Sequence, residues 1–205
     1  MDPSPGGLLD QFGPIDIYLF DQLLRGRIEP GMRVLDAGCG SGRNLVYFLR
    51  AGYDVCATDA DAASIGAVRR LAASLAPHLP PENFREEPVE RMSFDHACAE
   101  VVVSSAVLHF SRNDMHFAAM VHEMWRVLKP GGLLFCRLAS TIGMESRMQP
   151  LNDGRYLLPD GSERYLVDEA MLMRFTRMLN GTLVDPLKTT VVQDQRCMTT
   201  WVLRK

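Results

Sequence analysis

The stretch that most constrains this chain is Val34-Leu35-Asp36-Ala37-Gly38-Cys39-Gly40-Ser41-Gly42-Arg43-Asn44. Arg33-Val34-Leu35 reads as a short buried strand, and Asn44-Leu45-Val46-Tyr47-Phe48-Leu49 as the beginning of a helix. Between them, Gly38, Gly40 and Gly42 let the backbone take positive φ and come close to a ligand. The free N–H groups at the helix start face the same turn. A glycine-rich turn from strand to helix predicts an α/β fold with a nucleotide-like ligand.

The identity of that ligand follows from charge. The dinucleotide fingerprint is G-x-G-x-x-G with a pyrophosphate on the helix N-terminus. Here the spacing is G-x-G-x-G, and Asp36 ends the strand just ahead of the loop. A carboxylate there repels a pyrophosphate but suits a cation. S-adenosylmethionine (AdoMet) carries an ammonium, a sulfonium and no phosphate. Asp54-Val55-Cys56-Ala57-Thr58-Asp59 reads as a second strand ending in an acid, roughly 20 residues beyond the loop, where such folds hydrogen-bond a ribose.

The segment VLDAGCGSGRN resembles the first motif of the class I AdoMet-dependent methyltransferases, and CATDAD resembles the second. AEVVVSSAVLHF resembles the segment around the family's fourth strand, and MWRVLKPGGLLF the helix, turn and strand that follow. The likeness covers Met32 to Leu138 and is to methyltransferases of types 11 and 12. The Gly42-Arg43-Asn44 run is similar to small bacterial methyltransferases of the tellurite-resistance type. The resemblance implies a seven-stranded Rossmann-like sheet with helices on both faces and an antiparallel last strand. It implies AdoMet as cofactor and S-adenosylhomocysteine (AdoHcy) as product. Carried over by residue, it assigns Asp36 to the methionyl amino group or a water beside it, and Gly38 and Gly40 to close backbone approach. Asp59 takes the ribose hydroxyls and Val89 borders the adenine. Ala37, Asn44, Ala60, Glu90, Ser104 and Ser105 complete the expected cofactor set. Many relatives place an acid after the third strand to meet the adenine amino group. Pro88-Val89-Glu90 stands there instead.

The rest of the chain reads as one domain over 1–205, with an N-terminal helical cap over 1–30 and a hairpin insertion over 140–167. Met1–Gly7 is rich in Pro and Gly and reads as loose. Ile15–Leu24 reads as an amphipathic helix after Gly13-Pro14. In the family such a helix often crosses the cofactor or substrate mouth, so Phe12, Asp16 and Tyr18 are candidate lining residues. Asp61 caps a helix running to Leu75, and Phe84–Glu87 reads as the third strand. Glu100–Ser105 is the fourth strand, apolar because it is buried on both faces. Ligands bind outside the carboxyl ends of parallel strands, which makes Ser104, Ser105, Val107 and His109 site candidates, His109 as a general base. Met115–Leu128 is a helix stopped by Lys129-Pro130-Gly131-Gly132, and Leu133–Leu138 is the fifth strand. Arg137 there either reaches an anionic substrate or pairs with a local acid. Pro159-Asp160-Gly161 between two strand-like runs signals a hairpin. That hairpin reads as a lid bearing Arg147, Arg155, Tyr156, Arg164 and Tyr165. Of the candidates, Tyr18, Arg137, Arg164 and Tyr165 form the expected substrate set. Asp168 caps a further helix, and two terminal strands follow, the first interrupted by Pro186.

Composition trims the function classes. The 205 residues carry a net charge of −3, so no basic footprint calls for nucleic acid. Five cysteines without C-x-x-C spacing read as free thiols of a reducing cytoplasm, and no metal site is expected. No apolar run reaches membrane-spanning length. The fourth strand is followed by neither Asn nor Asp before Pro-Pro-Tyr, which disfavours amide or exocyclic amino acceptors. No Pro-Cys pair supports cytosine C5 chemistry. What remains is methyl transfer to a small molecule by in-line displacement. A non-catalytic AdoMet-binding module acting through a partner, and a protein or RNA methyltransferase, stand as alternatives. The oligomeric state is left open.

Overall fold

The computed structural model of the chain describes residues 7–205, so the reading of 1–6 lies outside the described residues. A short helix α1 (Leu8–Phe12) precedes α2 (Ile17–Leu24). Asp16 caps α2 by accepting the Tyr18 N–H at 3.0 Å. There follow β1 (Arg33–Ala37), α3 (Val46–Arg50), β2 (Asp54–Asp59), α4 (Ala62–Leu75), β3 (Phe84–Glu86), β4 (Ala99–Ser105), α5 (Asp114–Val127) and β5 (Leu128–Ala139). The remainder is β6 (Gln149–Pro150), β7 (Arg155–Leu157), β8 (Glu163–Tyr165), α6 (Glu169–Met178), β9 (Thr182–Leu183), β10 (Lys188–Val192) and β11 (Arg196–Arg204).

The main sheet runs β10-β11-β5-β4-β1-β2-β3, with β9 also paired to β11. The strands from β1 to β5 are mutually parallel, and β11 lies antiparallel to β5, β9 and β10. Chain connections diverge in opposite directions from β1 and β4, so their carboxyl ends open a crevice at a topological switch point. Alternate residues on each strand feed separate cores. Leu35, Val102, Leu134 and Trp201 pack with α5 and α6 on one face. Val34, Val55, Val101 and Phe135 pack with α2, α3 and α4 on the other. Burial on both faces is why these strands read as unbroken apolar runs.

Several elements differ from the reading of the sequence. The helix after the glycine loop begins at Val46 and not at Asn44, because Gly42 and Leu45 close turns onto Cys39 and Gly42. Strand β5 extends back through Lys129-Pro130-Gly131-Gly132 to Leu128. Gly131 at φ 77° donates its N–H to Lys205 O, and Gly132 O accepts from Lys205 N, so the C-terminus pairs with the stretch. Pro186 splits the penultimate strand into β9 and β10 on the same edge of β11. The hairpin of β7 and β8 is present and gains a third strand, β6. It shelters its own apolar cluster of Ala139, Met144, Met148, Leu158, Leu166 and Cys197. Among the described residues no helix is long and apolar enough to cross a membrane, no metal-binding cluster occurs, and the five cysteines are free.

Candidate active site

A cavity of about 640 Å³ occupies the crevice at the carboxyl ends of β1, β2 and β4. Its floor is the glycine loop. Gly38 (φ 84°) donates to Thr58 O at 2.8 Å, and a Cβ there would lie 2.6 Å from Val107. Gly40 (φ 53°) has open space where a Cβ would stand and donates its N–H to Asp59 Oδ2 at 2.8 Å. Asp59 Oδ1 accepts from the Asp61 N–H at 3.0 Å, so both oxygens are anchored, yet each keeps a lone pair. Asn44, Ala60, Val89, Glu90 and Ser105 also border this cavity. Asn44 Oδ1 accepts the Asp16 N–H at 2.9 Å. Glu90 Oε1 lies 3.0 Å from His116 Nε2, off the line of a good hydrogen bond, and 3.8 Å from Arg112 Nη2.

Asp36 sits beneath the loop, 1% exposed, with Oδ2 lacking a hydrogen-bond partner among the described residues. Burial pushes its carboxyl up to about 7, the Asp59 charge adds to the rise, and Arg43 opposes it. Asp36, Ala37 and Ser104 are not on the cavity wall. All three are buried, and the Ser104 hydroxyl has no partner among the described residues. Successive strand residues point to opposite faces, so of Ser104 and Ser105 only one reaches the crevice. Cys39 borders the cavity, but burial and the nearby carboxylates Asp36 and Asp59 push its thiol far up, so it is no nucleophile.

A second cavity of about 400 Å³ lies beside the first, and Ala106 lines both. Ala106 is held at φ 65°, unusual for a residue with a Cβ, by donating its N–H to Arg137 O at 2.7 Å. His109 enters this second cavity from the turn Leu108–Phe110 and is 8% exposed. Burial, then the Arg164 and Arg137 charges, push it down to about 4. Its Nδ1 accepts the Ala139 N–H at 3.4 Å. With Nδ1 accepting from that backbone N–H, the neutral ring carries its proton on Nε2.

Arg137 and Arg164 line the second cavity. Arg137 pairs with buried Asp16 at 3.3 Å, the local-acid option of the sequence reading. Asp16 Oδ2 also accepts from Ser105 Oγ at 3.1 Å and lies 3.6 Å from Arg43 Nη2. Tyr18 is on neither cavity wall. It lies under Arg137, 5.5 Å from ring centre to Cζ, and its hydroxyl meets Thr190 Oγ1 at 2.6 Å. Tyr165 departs furthest from expectation. It is buried, stacks on Phe117 and donates its hydroxyl to Asp114 Oδ1 at 2.7 Å, so it braces the core. Of the other lid candidates, Arg147 pairs with Asp194 and Arg155 with Glu163, both outside the cavity wall.

A protein-family model described as a methyltransferase domain matches residues 35–136, the span from β1 to β5 that frames the first cavity. The chain belongs to the class I methyltransferase family. Among curated relatives, the uncharacterized methyltransferase YodH of Bacillus subtilis is 29% identical over 121 residues, 59% of this chain and 46% of YodH. A ubiquinone biosynthesis O-methyltransferase of a Chelativorans species is 26% identical over 172 residues, 77% of this chain and 64% of that protein. The match to YodH thus spans about half of the relative's length. The Burkholderia thailandensis 1,6-didemethyltoxoflavin-N1-methyltransferase, solved with 1,6-didemethyltoxoflavin and AdoHcy bound, shares the fold at TM-score 0.69 and 20% identity. That similarity covers 89% of this chain and 75% of the other.

Sequence reasoning missed some of what the chain brings to its crevice. Arg43 follows the third glycine and donates to Ser105 Oγ at 2.9 Å, linking the loop to the end of β4. Its available signal is its place directly after the third glycine of the loop. Ala106 follows the serines, and nothing in its residue type announces positive φ. His116 and Met120 reach the first cavity from α5. Met120 reads as a member of an apolar helix stripe and is that too.

Proposed function

We propose that this chain transfers the methyl group of AdoMet to a small-molecule acceptor. The observation that carries the reading is the meeting of two cavities at Ala106, at the carboxyl end of β4. In this reading the larger cavity takes AdoMet and the smaller one the acceptor. The residues fit such a cofactor. Asp36 lies buried off the cavity wall, and its oxygen without a partner suits a water serving the cationic amino group or that group itself, while the open space at Gly40 admits close backbone approach. Asp59, already fixed by two backbone donors, has lone pairs left for ribose hydroxyls. Val89 offers an apolar edge to the adenine, while Ala60, Asn44 and Ser105 complete the wall. A volume of about 640 Å³ lies within the range of cofactor pockets.

When bound, AdoMet supplies an electrophilic methyl group on a positively charged sulfur. The protein's share is to bind, orient and exclude water, and alignment of this kind is worth effective molarities of about 10⁵–10⁸ M. Ala106 stands where the cavities join. His109 holds its ring neutral and presents an N–H to the acceptor side, so it positions and does not remove a proton. The second cavity, about 400 Å³ and walled partly by the hairpin, suits a small molecule better than a protein or RNA surface. A protein of the same fold that holds 1,6-didemethyltoxoflavin and AdoHcy together supports this choice.

Calorimetric titration with AdoMet tests the assignment. Asp59→Ala should weaken binding by about 1.5–3 kcal/mol through loss of charge-assisted hydrogen bonds. Unchanged affinity would remove Asp59 from the cofactor site.

A further inference from the structure

We propose that the second cavity selects acceptors bearing an oxyanion, a carboxylate or phosphate, recognised by Arg164, Arg196 and Arg137 around the His109 N–H. The proposal rests on the functional reading above and adds the substrate class. Three guanidinium groups line the cavity: Arg137 from β5, Arg164 from the hairpin and Arg196 from β11. Asp160 is the one carboxylate on its wall, and its Oδ1 already accepts from Ser162 N at 2.9 Å and Ser162 Oγ at 2.6 Å. Asp16, behind Arg137, is shared with Arg43 and Ser105.

Neither Arg164 nor Arg196 has a carboxylate within ion-pair distance among the described residues. Arg164 is held in place all the same. Its Cζ lies 5.1 Å from the centre of the Phe110 ring, and Nη1 donates to Glu163 O at 2.7 Å. A guanidinium pinned by an aromatic ring and a carbonyl keeps its other donors free in a fixed direction. On Arg137, Nε is buried without a partner among the described residues. Ala139, Leu158 and Met198 supply apolar walls beside these charges. Gathering like charges around one cavity is unfavourable unless an anion joins them, and two oxygens of one carboxylate or phosphate match the guanidinium fork.

The test uses arginine Nε–Hε resonances of the intact protein, assigned with Arg164→Gln and Arg196→Gln, titrated with benzoate, phenyl phosphate and benzamide. Each titration is run with and without AdoHcy. The proposal expects benzoate or phenyl phosphate to shift the Arg164 and Arg196 signals and to bind about tenfold or more tightly than benzamide. The stronger of the two anions identifies carboxylate or phosphate as the group read. Each Gln variant should weaken the preferred anion by about tenfold while leaving AdoHcy affinity within about twofold. Equal binding of benzamide, absence of any arginine shift, or indifference to both substitutions overturns the proposal. Failure of AdoHcy to bind wild-type protein overturns the functional reading instead, and the titrations without AdoHcy still decide the anion preference.

Discussion

Asp36 and His109 are both buried ionisable groups, and they pull stability in opposite directions with pH. Asp36 rises from 3.8 to about 7 on folding. Its protonated form is favoured in the native state, so the stabilisation is full below pH 3.8 and is lost as pH climbs through about 7. His109 falls from 6.5 to about 4, so its contribution is full above 6.5 and is lost as pH drops through about 4. Asp36→Asn removes the first effect alone. We expect the variant to be more stable than wild type by about 1–3 kcal/mol at about pH 8, with no gain near pH 4, while AdoMet affinity falls. Urea unfolding at the two pH values checks this, and an equal difference at both would contradict the assignment. The glycines and Asp59 were legible in the sequence because local backbone geometry and strand ends dictate them. The inward turn of Ser104 was not, because strand polarity shows which residues alternate but not which face meets the ligand. Tyr165 misled for a related reason: an aromatic in a polar hairpin looks exposed until its partner Asp114, 51 residues away, is in place.

At the scale of elements, the glycine loop works only with the segment after β4 packed against it. Gly38→Ala would place a methyl group 2.6 Å from Val107 at a φ of 84°. Backbone strain and overpacking together should cost about 2–4 kcal/mol by denaturant unfolding. A loss under about 0.5 kcal/mol would mean that Val107 does not seat the loop. The hairpin is braced separately by the Tyr165 hydroxyl. Tyr165→Phe should lose about 0.5–1.5 kcal/mol while AdoHcy binding is unchanged, since the residue faces the core. Reduced AdoHcy affinity in that variant would return Tyr165 to the site. Helix caps at Asp61 and Asp168 were readable because side-chain capping is local. The backward extension of β5 was not, because it depends on Lys205 returning to pair with Gly131 and Gly132 from the far end of the chain.

At the scale of the whole molecule, the parallel order was legible from buried apolar strands alternating with helices. The connection between the N-terminal segment and the site was hidden. Asp16 ties α2 to Arg43 in the loop, Ser105 on β4 and Arg137 on β5, so one buried carboxylate joins the walls of both cavities. Long-range ion pairs of this kind leave no periodic mark in sequence. The crevice at the switch point, read as the AdoMet site, joins the second cavity at Ala106. The most direct measurement is a crystal structure of the protein grown with AdoHcy. It should show the ribose hydroxyls on Asp59, the amino group toward Asp36 and the sulfur facing Ala106. AdoHcy absent from the crevice at saturating concentration, or seated there with its sulfur turned away from the second cavity, would contradict that reading.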